Sequence, residues 1–428
     1  MKVYLKNIIN YISKLESKIA FYPSILSLFG FMFAFFMYYL ENLGISKYLV
    51  DHVSWLVINN ADTARNLLSV FIGGVISIMV FSFSMVMILL NQASSNFSPR
   101  VLPGLISNKR HQFILGIFNA SLLYFIFTLV VIKPTDNKYQ LPGFSVLLGI
   151  VFMTFCLGAF IYFIHSISQE IQVNTIMDKI YLKAHNRLLK IISLEKEKDF
   201  KFPNTDTWKV YHSKKSGYFQ DVSLSSINSI LKAHDAKLEI LKVKGTYLLE
   251  HSTLFKTNKT LKDEAIKDIF DAFHFSNSEI VEENYVLGFK QITEIAIKAM
   301  SPGINDPGTA INAIDYLTQL FALRLQKRDE SFYGDTNDQN IRIKTTNFAE
   351  LLYNVMAVFR TYTKHDVVII QKLLLMLKYL LASNNCEDEA YKSAILNEIN
   401  NLFEDANQTL KNKMDIETIK NLKESIVN

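Results

Sequence analysis

Four stretches of the chain contain no Asp, Glu, Lys or Arg: Ile19–Leu40, Asn66–Leu90, Phe113–Ile132 and Leu141–Ile164. At 1.5 Å per residue, each is long enough to cross a hydrocarbon core of about 30 Å. The last two are separated only by Lys133–Gln140, with Pro134 and Pro142 to break the chain, so they read as a helical hairpin. After His165 the pattern changes. Ile164, Ile167, Ile171, Ile176, Ile180, Ala184, Leu188 and Ile191 recur every three or four residues, which predicts an amphipathic helix continuing out of the fourth span. A polar linker, Ser193–Ser216, follows it.

Beyond the linker the pattern predicts a small α/β unit. Gly217–Val222 reads as a strand and Ser223–His234 as a helix. Leu238–Val243 and Thr246–Glu250 read as a hairpin around Lys244–Gly245. Thr260 and Asp263 have capping-box spacing at the head of another helix. From Glu283 the pattern is helical, with Gly334–Asn340 as a loop and Phe348–Arg360, His365–Ala382, Asp388–Leu410 and Ile416–Ser425 as helices. The expected fold is mainly α: a four-helix transmembrane bundle followed by a cytosolic α+β domain that is mostly helical. The expected boundaries are 1–165 for the bundle, 166–215 for a stalk and linker, 216–258 for the α/β unit and 259–428 for a helical domain.

Charge adds an orientation. Residues 1–165 hold 11 Lys/Arg and 5 Asp/Glu, whereas residues 166–428 hold 34 and 35. The basic excess therefore sits in the hydrophobic part, as topology-setting charges do, and it makes a poor footprint for nucleic acid. Lys2, Lys6, Lys14 and Lys18 precede the first span. Arg100, Lys109 and Arg110 lie between the second and third, and Lys179, Lys183, Arg187 and Lys190 follow the fourth. The opposite loops carry only Lys47 and Arg65, then Lys133 and Lys138. Both termini are expected in the cytoplasm of a multi-pass protein of the bacterial inner (plasma) membrane. Residues 1–40 do not read as a cleaved signal peptide, because the apolar region is too long and no A-x-A site follows it.

The composition narrows the chemistry. Half of the residues are hydrophobic and 20% are charged, which excludes a disordered chain or a fibre. Cys156 and Cys386 are the only cysteines, so no disulfide framework is expected. The nine histidines show no HxH or HExxH spacing, so no metal or cofactor is expected. His165 reads as the end of the fourth span, in a capping role, and Trp55 as an interfacial anchor. Phosphate-binding and nucleophile-elbow glycine motifs do not occur, and no enzyme activity is expected. No span carries an ionised side chain, which argues against a proton-coupled carrier.

Three segments remain as candidates for function. Between Arg65 and Arg100 lie 34 uncharged residues, in which Gly73, Ser77, Ser84, Asn91 and Ser95 fall on one stripe of a helix. Such a stripe lines a pore when several copies present it to a common axis, with Arg100 at the cytoplasmic mouth. Equally, small and hydroxylated residues serve close helix packing. The segment after Pro99, Pro103 and Gly104, up to Gln112, carries Lys109, Arg110 and His111. It reads as lying along the interface, either as an ordinary positive loop or in contact with anionic lipid. Ser301–Thr309 reads as helix, break, helix, with Asp306 as N-cap and Pro307 at the first helical position. Asn305, Asp306 and Thr309 make either a rigid interhelical turn or a ligand site.

Two of these segments also carry a resemblance. Phe81-Ser82 followed by Asn91-Gln92-Ala93-Ser94-Ser95-Asn96-Phe97-Ser98-Pro99-Arg100, and Ala299-Met300-Ser301-Pro302-Gly303-Ile304-Asn305-Asp306-Pro307-Gly308-Thr309-Ala310, are joined by Ser216-Gly217-Tyr218 and the four-span layout. Together they resemble an uncharacterised family of bacterial predicted membrane proteins, domain of unknown function 2254. The resemblance implies a bacterial inner-membrane protein and no established activity. Two positions depart from the family pattern: Asn91 stands where a Gln is usual, and Gly308 where a bulky apolar residue is usual. Four spans give little room for an internal pathway, so conduction requires self-association within the lipid bilayer. The leading expectation is therefore a homo-oligomeric channel with a cytosolic gating or sensing domain. The alternative is a membrane-anchored binding or scaffold protein that conducts nothing.

Overall fold

A computed structural model describes residues 20–52, 58, 60–96, 109–132, 142–170, 172–194, 202–276, 284–334, 339–383, 385, 386 and 388–427, with backbone alone at 93–96, 170 and 427. Among them are fourteen helices and eight strands. The chain divides into two compact units, Met1–Gln172 and Val173–Asn428.

The N-terminal unit contains α1 (Phe21–Asn42), the short α2 (Ile45–His52), α3 (Ala61–Asn96), α4 (Lys109–Val131) and α5 (Gly143–Glu170). Of these, α1, α3, α4 and α5 are long and apolar enough to cross a membrane. Their shared core includes Leu68, Val75, Phe118, Phe125, Val146, Cys156 and Phe163. Phe29, Phe35, Val70, Val130 and Ile161 are exposed, as expected of a bundle whose outer solvent is lipid. Helices α1 and α4 approach closely. A Cβ added at Gly30 would stand 2.5 Å from the Ala120 carbonyl oxygen, so only glycine lets the two backbones meet there.

The C-terminal unit opens with α6 (Val173–Leu194), which buries Ile176, Ile180, Ala184 and Leu188 at helical spacing. Then come β1 (Lys209–His212), β2 (Gly217–Val222), α7 (Leu224–Ala233), β3 (Leu238–Ile240), β4 (Tyr247–Leu248), β5 (Thr253–Thr257), α8 (Asp263–Asp271) and β6 (Phe273–Ser276). The chain continues through α9 (Tyr285–Ala299), α10 (Pro307–Arg324), β7 (Ser331–Gly334), β8 (Gln339–Ile343), α11 (Phe348–Thr363), α12 (Val367–Leu381), α13 (Glu389–Thr409) and α14 (Lys413–Val427). A five-stranded sheet has the order β1-β5-β3-β8-β7, and a three-stranded sheet has the order β4-β2-β6. All pairs are antiparallel except β3 with β8, which run parallel with Leu238 opposite Ile341 and Ile240 opposite Ile343. That pair joins residues of the expected α/β unit to a strand that begins in the expected Gly334–Asn340 loop of the helical domain. Phe255, on β5, stacks with both Tyr211 and Phe273.

Three local expectations are corrected. The segments around Lys244–Gly245 do not form a hairpin, because they enter different sheets. Leu241 N–H donates to Leu254 (2.9 Å), whereas Gly245 N–H donates to Phe219 (2.8 Å) and Phe219 N–H to Thr246 (3.0 Å). Gly245 makes the change of direction at φ 87°, where a side chain is strained. Thr260 does not cap α8. Leu261 is drawn into the core, so the helix starts after Lys262 with Asp263 and Glu264 in its first turn. Finally, Gly334 and Gln339–Asn340 belong to β7 and β8, and Asn340 is buried with its amide 3.4 Å from the Asn228 oxygen. Of that predicted loop, residues 335–338 lie outside the described residues.

Candidate functional site

Helix α3 has two contrasting faces. Ala64, Leu68, Val75 and Ser82 are each completely buried against the bundle. Nine residues after each stands Gly73, Ser77, Ser84 or Asn91, and all four are exposed. Nine residues at 100° each is half a turn, so the small and polar stripe points directly away from the unit's core. A Cβ at Gly73 would meet nothing within 4 Å. The hydroxyls of Ser77 and Ser84 donate to the carbonyls of Gly73 (2.8 Å) and Val80 (2.9 Å) on their own helix, which satisfies them without a partner. The Ser95 side chain and all of Arg100 lie outside the described residues, as does Trp55.

Sequence reasoning passed over a polar cluster at one end of the same bundle. The Glu41 carboxylate, from α1, accepts hydrogen bonds from the Ser145 amide (2.9 Å), the Ser145 hydroxyl (2.7 Å) and the Ser46 hydroxyl (2.6 Å). The Ser46 oxygen accepts from the Phe144 amide (3.0 Å), and Tyr124 OH donates to the Ser145 carbonyl (2.8 Å). A carboxylate and a hydroxyl from α1 and α2 thus cap the first turn of α5, where the helix macrodipole is positive. On α3, Arg65 donates to the Ile132 carbonyl (3.2 Å), just past the end of α4. The only signal in the sequence is a single acidic residue directly after an apolar run.

Part of the segment expected to lie along the interface is instead inside the bundle. Helix α4 begins at Lys109, and His111 and Gln112 are buried, His111 with its ring edge against Phe163 (5.4 Å). Residues 97–108 lie outside the described residues. His165 does not end its helix, which runs to Glu170, and its ring sits 3.2 Å from the Gln169 amide nitrogen.

In the C-terminal unit the 301–309 segment is a capped turn. Asn305 takes the left-handed conformation at φ 48°, which Asn tolerates better than most residues. Asp306 accepts from the Thr309 amide (3.1 Å) and the Thr309 hydroxyl (2.6 Å), and these bonds hold its carboxyl below the usual range. Pro307 opens α10. Asn305, Asp306 and Gly308 are exposed, and a Cβ at Gly308 would stand 3.3 Å from an Asp306 oxygen. Among the described residues no three His, Cys, Asp or Glu side chains are grouped to hold a metal ion. The buried titratable groups at the other end of α10 belong to a structural network. Arg324, fully buried, donates to Asp329 and to the carbonyls of Lys327 (2.7 Å) and Thr346 (3.0 Å). Tyr391 donates to the same Lys327 carbonyl, and burial pushes its phenol up to about 12.

Comparison with known proteins agrees with the membrane-length helices. An uncharacterised protein of Mycobacterium bovis and one of Mycobacterium tuberculosis are each 23% identical over 354 residues, covering 78% of this chain and 67% of the relative. No solved structure matches. The family described as predicted membrane protein (DUF2254) matches residues 16–379. The chain belongs to that family of predicted membrane proteins.

Proposed function

We propose that the chain works as a homo-oligomer in a bacterial inner membrane. In this reading α3 from each copy lines a shared conduction path, and the C-terminal unit acts as cytosolic gate or sensor. The observation that carries this is the outward stripe of Gly73, Ser77, Ser84 and Asn91, half a turn from the buried face of the same helix. Lipid gains nothing from such a stripe. A second helix gains close backbone approach along it, because lipid tails give no hydrophobic drive to associate and small residues supply the packing instead. Water gains acceptor oxygens and the Asn91 amide.

Subunit counting in phosphatidylglycerol-containing nanodiscs tests the oligomer, with a discrete multimer expected and a monomer fatal to the proposal. Planar-bilayer recording tests conduction: the wild-type chain is expected to conduct and Ser84→Trp to abolish that conductance, whereas a wild type that passes no current ends the conduction proposal.

A second reading, a membrane anchor for a binding or scaffold protein, is favoured by one observation. Ser77 and Ser84 already spend their hydrogens on their own helix, which suits a dry contact between copies. Labelling of Ser77→Cys by a water-soluble thiol reagent separates the two, with modification expected for a wet path and protection for a dry one.

A further inference from the structure

The C-terminal unit contains a cleft of about 190 Å³ whose walls come from α6, the turn after β3, the start of α9 and the strands β7 and β8. Five of its lining side chains are cations: Arg187, Lys190, Lys244, Lys327 and Lys344. Among the described residues no Asp or Glu lines it. The chain beyond residue 165 is nearly charge-balanced, with 34 basic and 35 acidic residues, so walls of one sign are a local concentration. A low-dielectric cleft with one sign of charge focuses potential on an oppositely charged ligand.

Two of the cations are held in place by the protein. Lys327 is 1% exposed, and its ammonium donates to the Arg328 carbonyl and to the Ser331 hydroxyl (3.1 Å). Lys244 is held by Asp221. Lys190 and Lys344 are exposed at the rim. The first turn of the 15-residue α9 opens on the same space through Asn284, Tyr285 and Val286, adding the positive end of a helix dipole. The Tyr285 and Phe332 rings add apolar wall. The volume equals roughly six waters at about 30 Å³ each, which admits a phosphate with a small organic remainder and excludes a polymer.

We infer that this cleft binds a small phosphorylated anion, held by Lys190, Lys344 and Arg187 around Lys327. The inference stands whether or not α3 lines a conduction path. A phosphate can come from a soluble metabolite or from a lipid headgroup, and the test distinguishes the two.

The full chain in phosphatidylcholine nanodiscs is titrated calorimetrically with pyrophosphate and with glycerol phosphate. Saturable binding at one site per chain is expected. Lys344→Gln and Lys190→Gln should each weaken it roughly tenfold, the loss of one charge-assisted hydrogen bond. Lys420→Gln, outside the cleft, should leave it unchanged. Repeating the titration in phosphatidylglycerol nanodiscs identifies the source: competition by the lipid points to a headgroup, and undiminished binding to a soluble ligand. No saturable binding of either probe in phosphatidylcholine, or binding that neither cleft variant weakens, overturns the inference.

Discussion

Gly30 and Gly73 sit in membrane-length helices of the same unit, yet they do opposite things. At Gly30 a methyl group would collide with the Ala120 backbone, and at Gly116 with the Leu26 side chain, so α1 and α4 are closed against each other. At Gly73 a methyl group meets open space. The first seam is filled by the chain itself, whereas the second is left unfilled. A sequence shows small residues in both places, and only the packing tells a finished interface from one that awaits a partner.

Substitution at the two glycines should separate them most sharply. Gly30→Leu forces side-chain carbons into a backbone contact and should cost at least about 3 kcal/mol, or prevent insertion of the unit altogether. Gly73→Leu should leave the melting temperature of the detergent-solubilised monomer unchanged and shift the subunit count in nanodiscs towards one. Equal destabilisation of the monomer by both would mean that α3 packs inward along its stripe, and the contrast would collapse.

The next effect concerns what holds the closed seam in register. Glu41→Ala removes the acceptor for two donors on Ser145 and one on Ser46, groups 104 and 5 residues away in sequence. Stranding donors at a partly buried helix start should cost on the order of 2 kcal/mol, read as a lower unfolding midpoint. Glu41→Gln, which keeps one acceptor oxygen, should recover part of it. The matching test in the other unit is Asp306→Ala. There the carboxylate caps its own helix, is exposed, and serves a residue only three positions on. Loss of an N-cap costs about 1 kcal/mol, and Asp306→Asn should restore most of it.

These two carboxylates also show what the sequence could reveal. The Asp306 cap is legible because donor and acceptor lie within one helical turn and Pro307 marks the start. The four membrane-length helices are legible for the same local reason, since uninterrupted apolar character is a property of the segment itself. Glu41 is not legible, because its partners are set by how α5 lies beside α1. The cleft cations are equally hidden. Lys344 gives no signal of its own until the parallel pairing of β3 with β8 sets it beside the turn after β3 that carries Lys244. The false hairpin at Lys244–Gly245 has the same origin: each half had strand character, but the choice of partner was long-range.

The smallest effect extends the comparison to a carboxylate that is buried without being a cap. Glu398 on α13 lies 3.4 Å from Arg360 and accepts from the Asn401 amide (3.3 Å). Burial nevertheless raises its pKa above the ordinary 4.5, outweighing the arginine. An acid whose folded pKa is raised binds its proton more tightly when folded. It therefore contributes stability below the unfolded value and loses it as pH rises through the folded one. Glu398→Gln is neutral throughout, so the wild type should lose ground to the variant between about pH 4.5 and neutrality, measured as the difference in denaturant midpoint at the two ends. The opposite trend, with the wild type gaining as pH rises, would mean that Arg360 dominates. Glu398 would then join Glu41 and Asp306 as a carboxylate that holds the fold through its charge.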